Sequence, residues 1–203
     1  MSEEMGFTGE TGPVTFERPM QRKQTKKQKE INSLVTWMVR GALFLAEVLF
    51  FLPLCVVSCS SQPNCDKAVN GFRASFGFEL SYLTEKVVGI WWLVLVFILT
   101  AVMIAVWYIK DMNRLKDLKL RKLALCFLTG VFASLNVVLL ICFLRVANAR
   151  VEAANAGFAV GEVTLRYTLG FWVLFIIQLF FALGGLAAAG RLFSQKYLVH
   201  KSK

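Results

Sequence analysis

The hydrophobic positions fall into long blocks along this chain. Blocks 87–109, 123–144 and 168–190 hold 23, 22 and 23 residues without a charge, and block 33–58 is apolar apart from Arg40, Glu47 and a few hydroxyl side chains. A helix needs roughly 20 residues to cross a bilayer core of about 30 Å. Lipid admits only helices or closed barrels, and the blocks lack the period-two alternation of barrel strands. The pattern therefore predicts four transmembrane helices over these blocks.

The composition agrees with this interpretation. The 203 residues are 57% hydrophobic and 18% charged, with a mean hydropathy of +0.58. A soluble domain is about half apolar and about a quarter charged. We predict an all-α integral membrane protein, a four-helix bundle, with residues 33–190 as its membrane domain.

The net charge of +10 is concentrated in three segments. Residues 18–29 carry six basic residues and no acid, residues 110–122 carry six basic and two acidic ones, and the tail from Arg191 adds four basic ones. The positive-inside rule then predicts that both termini and loop 110–122 are cytoplasmic, so that the helices form two in–out–in hairpins. The predicted location is the bacterial plasma membrane, and because basic flanks are typical of membrane proteins, no nucleic-acid partner is expected.

The two ends of the chain are predicted to be cytoplasmic segments outside the bundle. Residues 1–32 begin with MSEEMGFTGETGP and then turn basic, a pattern that predicts a mostly disordered segment, and residues 191–203 form a basic tail. A basic side chain near a membrane gains about 1 kcal/mol from anionic lipid. The predicted lipid contacts are Arg22, Lys23, Lys26, Lys27 and Lys29.

The stretch FFLPLCVVSCSSQPNC, residues 50–65, has several explanations. A disulfide between Cys59 and Cys65 fits best, because the outer compartment is oxidising and the intervening proline and asparagine favour a turn. Free thiols are the first alternative. The second is a lipidated Cys59, because VVSC followed by SSQ resembles a lipobox, although the preceding apolar run is too long for a signal core. No metal site is expected, since the single histidine, His200, lies at the opposite side and zinc wants four ligands.

Two loop segments alternate between apolar and polar residues. The segments FRASFGFEL (72–80) and EVTLRYTL (162–169) are candidate short strands that pair over the outer mouth of the bundle. The intervening segment VANARVEAANAGF (146–158) is rich in alanine and alternatively extends the third helix.

The motif FFLPLCVVSC, followed by a loop and a Gly-[Ile/Phe]-Trp helix start, resembles a group of uncharacterised small multi-spanning bacterial membrane proteins. In that group a helix ends in a Phe-Phe-x-Pro-x-x-x-Val-Ser-Cys stretch, and some members carry an N-terminal zinc ribbon that has no counterpart here. The resemblance covers residues 44–59 and the loop pattern that follows. It implies a membrane-spanning fold and brings no activity or cofactor with it.

Ionisable residues within a membrane span are candidates for function. Arg40 and Glu47 are seven positions apart, about two helical turns, so they project from one face of the first helix. Glu47 near the middle of the membrane is a candidate proton or cation site, with Arg40, Asn136 and Gln178 as neighbours. In the alternative interpretation, Arg40 extends to the membrane surface, and Glu47 is protonated or bonded between helices.

The fourth block contains the small-residue run GGLAAAG, residues 184–190. Residues Gly184, Gly185, Ala188 and Ala189 have the four-residue spacing that lets two helix backbones approach closely, either inside the bundle or in another subunit. The sequence has no HExxH, GxSxG, GxxxxGK[ST] or CxxC motif. We therefore expect a non-enzymatic accessory or scaffold subunit without a cofactor, whose partners are the bilayer and other membrane subunits or itself. A small oligomeric channel or transporter that uses Glu47 is the first alternative, and a membrane enzyme without a recognisable motif is the second.

Overall fold

The computed structural model describes residues 19–60, 66–78, 87–108, 118–157 and 162–201, and their side chains in 33–60, 66–78, 87–108, 122–156 and 162–194. In chain order, the elements are α1 (Pro19–Phe51), β1 (Pro53–Cys59), β2 (Lys67–Asn70), α2 (Gly71–Phe76), a 3-10 turn (Trp91–Leu93), α3 (Val94–Tyr108), α4 (Leu118–Gly157), β3 (Val163–Tyr167) and α5 (Leu169–Lys201). The chain divides into two compact units, Met1–Val39 and Arg40–Lys203. The contacts described below lie within the second unit.

Four helical segments in the described part of the chain are long and apolar enough to cross a membrane. They are Ser33–Phe51, Trp91–Tyr108, Lys122–Ala156 and Leu169–Ser194. The four predicted apolar helices are thereby confirmed, while the three short strands make the all-α description only partly correct. Helix α4 continues through the alanine-rich segment 146–158 as far as Gly157. Its 40 residues therefore extend about 60 Å, about twice the thickness of a bilayer core.

The first helix is shorter at its C-terminal end than predicted. The sequence predicts helix to Ser58, but α1 ends at Phe51, and Leu52 closes the last turn by donating its N–H to the Leu49 carbonyl at 3.2 Å. Pro53 has no N–H and disfavours helical geometry in the residue before it. The apolar residues that follow belong to β1, because a buried strand and a buried helix both appear as a continuous apolar run.

At its N-terminal end the same helix is longer than predicted. The sequence predicts that residues 1–32 are mostly disordered, but α1 begins at Pro19, a residue favoured in the first helical turn. The lysines, arginines and glutamines of this stretch are good helix formers and are continuous with the apolar span. Residues 1–18 lie outside the described part, and in the predicted 191–203 tail α5 continues to Lys201.

A small antiparallel sheet stands at the end of α1. Its strand order is β2-β1-β3, with Cys55 of the central strand opposite Val69 of β2 and Tyr167 of β3. The Thr168 N–H donates to the Leu54 carbonyl at 3.0 Å, which ties the start of α5 to this sheet. The candidate strand in 162–169 is therefore confirmed, but its partner is β1 and not the 72–80 segment.

The described part of the 72–80 segment, residues 72–78, is mostly helical rather than a strand. Helix α2 begins after Asn70, whose side-chain oxygen accepts the Arg73 N–H at 2.9 Å, and ends at Gly77 with φ of 93°. An asparagine N-cap and a glycine in the left-handed region are local helix signals that outweigh a weak alternation. Among the described residues of this segment, Phe78 alone forms a β-bridge, with Val87.

The core lies beneath the sheet, where the strands meet the helix ends. Leu54 in β1, Leu93 ahead of α3, Leu140 in α4 and Phe171 in α5 have no measurable exposure. Gly71 allows α2 to approach this core, because a Cβ there would stand 2.5 Å from the Phe50 ring. Sheet and helix ends therefore share one hydrophobic cluster.

Candidate functional site

Three polar side chains meet inside the helices. Asn136 Nδ2 donates to Thr100 Oγ1 and to Gln178 Oε1, both at 3.2 Å, and Gln178 Nε2 donates to Thr100 Oγ1 at 3.0 Å. All three residues are at most 1% exposed. This amide cluster (Thr100, Asn136, Gln178) joins α3, α4 and α5.

The amide cluster is mainly a helix-packing device. Thr100 donates its own hydroxyl hydrogen to the Val96 carbonyl at 2.7 Å, so its oxygen accepts from both amides. Asn136 Oδ1 has no hydrogen-bond partner in the described chain. The sequence predicts Asn136 and Gln178 as neighbours of Glu47. In the structure these two amides bond to each other, with Thr100 as the third member of the cluster.

Arg40 belongs to a different polar group. Its Nη2 donates to the Trp107 carbonyl at 2.8 Å, and its guanidinium carbon lies 4.6 Å from the centre of the Tyr108 ring. Trp107 Nε1 in turn donates to Thr129 Oγ1 at 2.9 Å. The cation thus stands at the C-terminal end of α3, where unpaired carbonyls and the helix dipole favour positive charge.

Glu47 lies apart from the described bonds of both groups. Within the described chain, its Oε2 atom is buried without a hydrogen-bond partner, and the hydrogen bonds of Arg40, Asn136 and Gln178 go to other residues. The structure therefore separates the predicted set into an Arg40 group, an amide cluster and a single carboxyl group. Whether Glu47 carries protons or cations remains a prediction.

The predicted small-residue contacts are divided between two faces of α5. A Cβ on Gly185 would stand 2.8 Å from the Cα of Gly130 in α4, whereas a Cβ on Gly184 would meet nothing within 4 Å. Ala189 is buried and Ala188 is half-buried. Gly185 therefore packs α5 on α4, and Gly184 leaves a gap on the outside.

An apolar groove runs between the N-terminal half of α4 and the C-terminal half of α5. Its volume is about 510 Å³. We name it the α4–α5 groove, and it is lined by Leu123, Ala124, Phe127, Leu186, Ala189 and Gly190. A Cβ on Gly190 would meet nothing within 4 Å, so the glycine adds depth to the groove.

A second apolar space lies at the opposite end of the bundle, beneath the sheet. We name this space, of about 140 Å³, the sheet cavity; its lining includes Cys55, Val57, Val69, Phe143, Ala147 and Arg150. Arg150 Nη1 donates to the Val88 carbonyl, which also lines the cavity.

Two asparagines of α4, Asn148 and Asn155, hold the C-terminal end of this helix on β3, and the sequence does not identify either as a site residue. Asn155 Nδ2 donates to the Val163 carbonyl at 3.0 Å, and its Oδ1 accepts the Val163 N–H at 2.8 Å. Tyr167 Oη donates to Asn148 Oδ1 at 3.0 Å. The sequence signal for these contacts is the pair of asparagines in an alanine-rich segment next to a predicted strand. Their hydrogen-bond partners cannot be identified without the fold.

The described cysteines do not test the predicted disulfide. Cys65 lies outside the described residues, and no disulfide joins any two of Cys55, Cys59, Cys126 and Cys142. Burial raises the pKa of the Cys55 thiol to about 11. Burial and the neighbouring Cys55 also raise the pKa of Tyr167, to about 12. Cys55 is therefore a neutral thiol at physiological pH and a poor nucleophile.

The basic residues predicted to contact anionic lipid lie on the N-terminal part of α1. Their backbone is helical, and their side chains lie outside the described part of the chain. The lipid contacts therefore remain a prediction.

Comparison with known proteins finds no matching protein family, no matching curated protein and no matching solved structure. The motif around residues 44–59 therefore remains a resemblance, and its Pro53–Cys59 part is a strand rather than the end of a helix.

Proposed function

We propose that this chain is a non-enzymatic accessory or scaffold subunit of a membrane protein assembly. It is inserted in the bacterial plasma membrane with both termini in the cytoplasm, as the distribution of basic residues favours. The observation that carries the proposal is the α4–α5 groove, which takes an apolar transmembrane helix of another protein.

The lining of the groove supports a helix as its occupant. Helix association in lipid depends on close packing, which small residues at the contact permit. Ala124, Ala189 and Gly190 are the small residues of the groove, and Phe127 is a large apolar residue of the same lining. A glycine costs about 1 kcal/mol of helix propensity relative to alanine, and no close approach in the described chain requires a glycine at 190, because a Cβ there would meet nothing within 4 Å.

The distribution of polar groups agrees with a structural role. The side-chain hydrogen bonds of the amide cluster join three helices of the chain to one another. Arg40 likewise donates a hydrogen bond to the carbonyl of Trp107 at the end of α3. These contacts stabilise the bundle from within, and the surface available to a neighbouring membrane protein is mainly apolar.

Native mass spectrometry of the protein, extracted gently from its own membrane, tests this function. We expect a second polypeptide in fixed stoichiometry. The Gly190→Leu variant, which fills the groove, should lose that polypeptide, whereas Gly41→Leu should retain it. Gly41 is a matched control because a Cβ there also meets nothing within 4 Å. A wild-type protein without a second polypeptide, or one that keeps it after Gly190→Leu, would contradict the proposal.

A channel or transporter is the second candidate, because Glu47 lies in an apolar segment long enough to cross a membrane and its buried Oε2 has no hydrogen-bond partner among the described residues. The test is ion or proton flux in proteoliposomes with Glu47→Gln. Transport predicts that flux is lost while the protein still inserts and assembles normally. A purely structural Glu47 predicts that Glu47→Gln keeps both assembly and any flux of the wild type. A homo-oligomer without a second polypeptide would favour this candidate.

A further inference from the structure

We propose that the sheet cavity is a binding site for a small apolar monocarboxylate, of the aryl or medium-chain alkyl class, whose carboxylate pairs with Arg150. This site is independent of the α4–α5 groove and of Glu47. It lies at the other end of α4 and is formed by different residues.

The cavity has the shape and chemistry of a site for an apolar body. The sheet contributes Cys55, Val57 and Val69, which are at most 8% exposed, and α4 contributes the buried ring of Phe143. An apolar space of about 150 Å³ admits benzene-sized guests. The volume of about 140 Å³ therefore fits a phenyl ring or a short alkyl chain, and is too small for a whole lipid acyl chain.

Small side chains on one face of α4 keep the space open. Ala147 and Ala154 are two turns apart and both line the cavity, beside Phe143 and Val151. Any larger side chain at either alanine would fill the space from the helix side. The neighbouring Ala153 is exposed and does not line the cavity, which makes it a matched control position.

The charge at the edge selects the head group. Arg150 is the one charged residue in the described lining, and its bond to the Val88 carbonyl uses one of the five N–H donors of a guanidinium. A carboxylate matches the planar fork of arginine better than other small anions of the same charge, because both can form two parallel hydrogen bonds. An apolar guest with a carboxylate at one end would bury its body and leave its charge at this edge.

Fluorine NMR on the full chain in nanodiscs tests the site. The probes are 4-fluorobenzoate and its neutral isostere 4-fluorobenzamide. We expect saturable binding of the benzoate. The affinity for the benzamide should be at least about tenfold lower, because the benzamide lacks the charge-assisted hydrogen bond. Octanoate should displace the benzoate, because both belong to the proposed class.

Five variants locate the binding. Arg150→Gln should weaken the benzoate about tenfold or more, and Arg150→Lys should weaken it less, because it keeps the charge but not the fork. Ala154→Leu should abolish binding by filling the cavity. Ala153→Leu and Arg145→Gln, which change exposed α4 residues outside the lining, should leave binding unchanged.

Four results would overturn the proposal. The first is no saturable binding to the wild-type protein, and the second is equal binding of the benzamide and the benzoate. The third is displacement of the benzoate by anionic phospholipid in the nanodisc but not by octanoate, which would identify the occupant as a bilayer lipid. Equal weakening by Arg145→Gln and Arg150→Gln would likewise reveal attraction to general charge and not this site.

Discussion

Gly130 of α4 and Gly185 of α5 approach so closely that a Cβ on Gly185 would stand 2.8 Å from the Cα of Gly130 and 2.9 Å from the Cys126 carbonyl oxygen. The two helices meet backbone to backbone at this point. The next residue along α5 toward the N-terminus, Gly184, has open space beside it. Two adjacent glycines in one helix thus have different roles.

This difference predicts opposite effects of one substitution at neighbouring positions. Gly185→Ala should lower the free energy of unfolding by about 1–3 kcal/mol, because the added methyl group collides with backbone atoms that cannot move aside. Gly184→Ala should leave stability unchanged or raise it by up to about 1 kcal/mol through helix propensity. Thermal or denaturant unfolding in detergent measures both. Equal effects at the two positions would show that the close α4–α5 contact is not present.

The amide cluster predicts non-additive effects between helices. Gln178→Leu and Asn136→Leu should each cost about 0.5–2 kcal/mol, since each leaves buried polar groups without a partner. The double variant should cost less than the sum, because removing both members also removes the groups left unpaired by either single change. Ser134→Ala is the control, because Ser134 Oγ donates to the Gly130 carbonyl of its own helix at 2.7 Å and joins no second helix in the described chain. Additive costs in this double-mutant cycle would rule out the direct Asn136–Gln178 contact.

The buried Cys55 thiol predicts loss of stability in alkaline solution. Its pKa is raised from 9.0 to about 11 in the folded chain, so the unfolded chain ionises first as pH rises. The stabilising contribution is complete below about pH 9 and is lost as pH rises through 11. Unfolding midpoints across this window should fall less steeply for Cys55→Val than for the wild type. Tyr167, with its pKa raised to about 12, leaves a residual slope in the variant. An identical slope in both proteins would place Cys55 in contact with water.

The predicted Cys59–Cys65 disulfide is tested by the intact mass of the protein. We expect the full-length mass to be two hydrogen masses below that of the reduced chain, and to rise by the same amount after reduction. A Cys65→Ser variant should show no such change. A full-length mass without the deficit means free thiols. A fragment that begins at Cys59 and carries acyl groups means lipidation, and that result would remove α1 from the mature bundle.

Sequence and structure agree best on the α3 and α5 spans. The predicted blocks 87–109 and 168–190 contain the cores of these helices, because apolar length is a local property that can be read without knowing any contact. The stretch after Phe51 shows the limit of this reasoning. Its apolar residues continue the block, yet they form the central strand of a sheet whose other partner, β3, lies more than 100 residues along the chain.

The candidate site shows the same division. Asn136 and Gln178 are conspicuous in apolar blocks, and the sequence identifies both. It gives no indication that Thr100 completes their cluster or that Glu47 stays outside its hydrogen bonds. Thr100 is a common residue in an apolar helix, and only the packing of three helices shows that its oxygen accepts both amides.

By itself, the sequence determined the number of long apolar helices and the asymmetry of basic charge, since both are sums over neighbouring residues. The tertiary structure decided that Pro53–Cys59 is a strand, that Gly185 rather than Gly184 meets α4, and that Arg150 stands beside an apolar cavity. Each of these depends on residues distant in sequence approaching within a few ångströms. Hydrophobic patterning measures how much surface must be buried, but it does not specify which surface covers it.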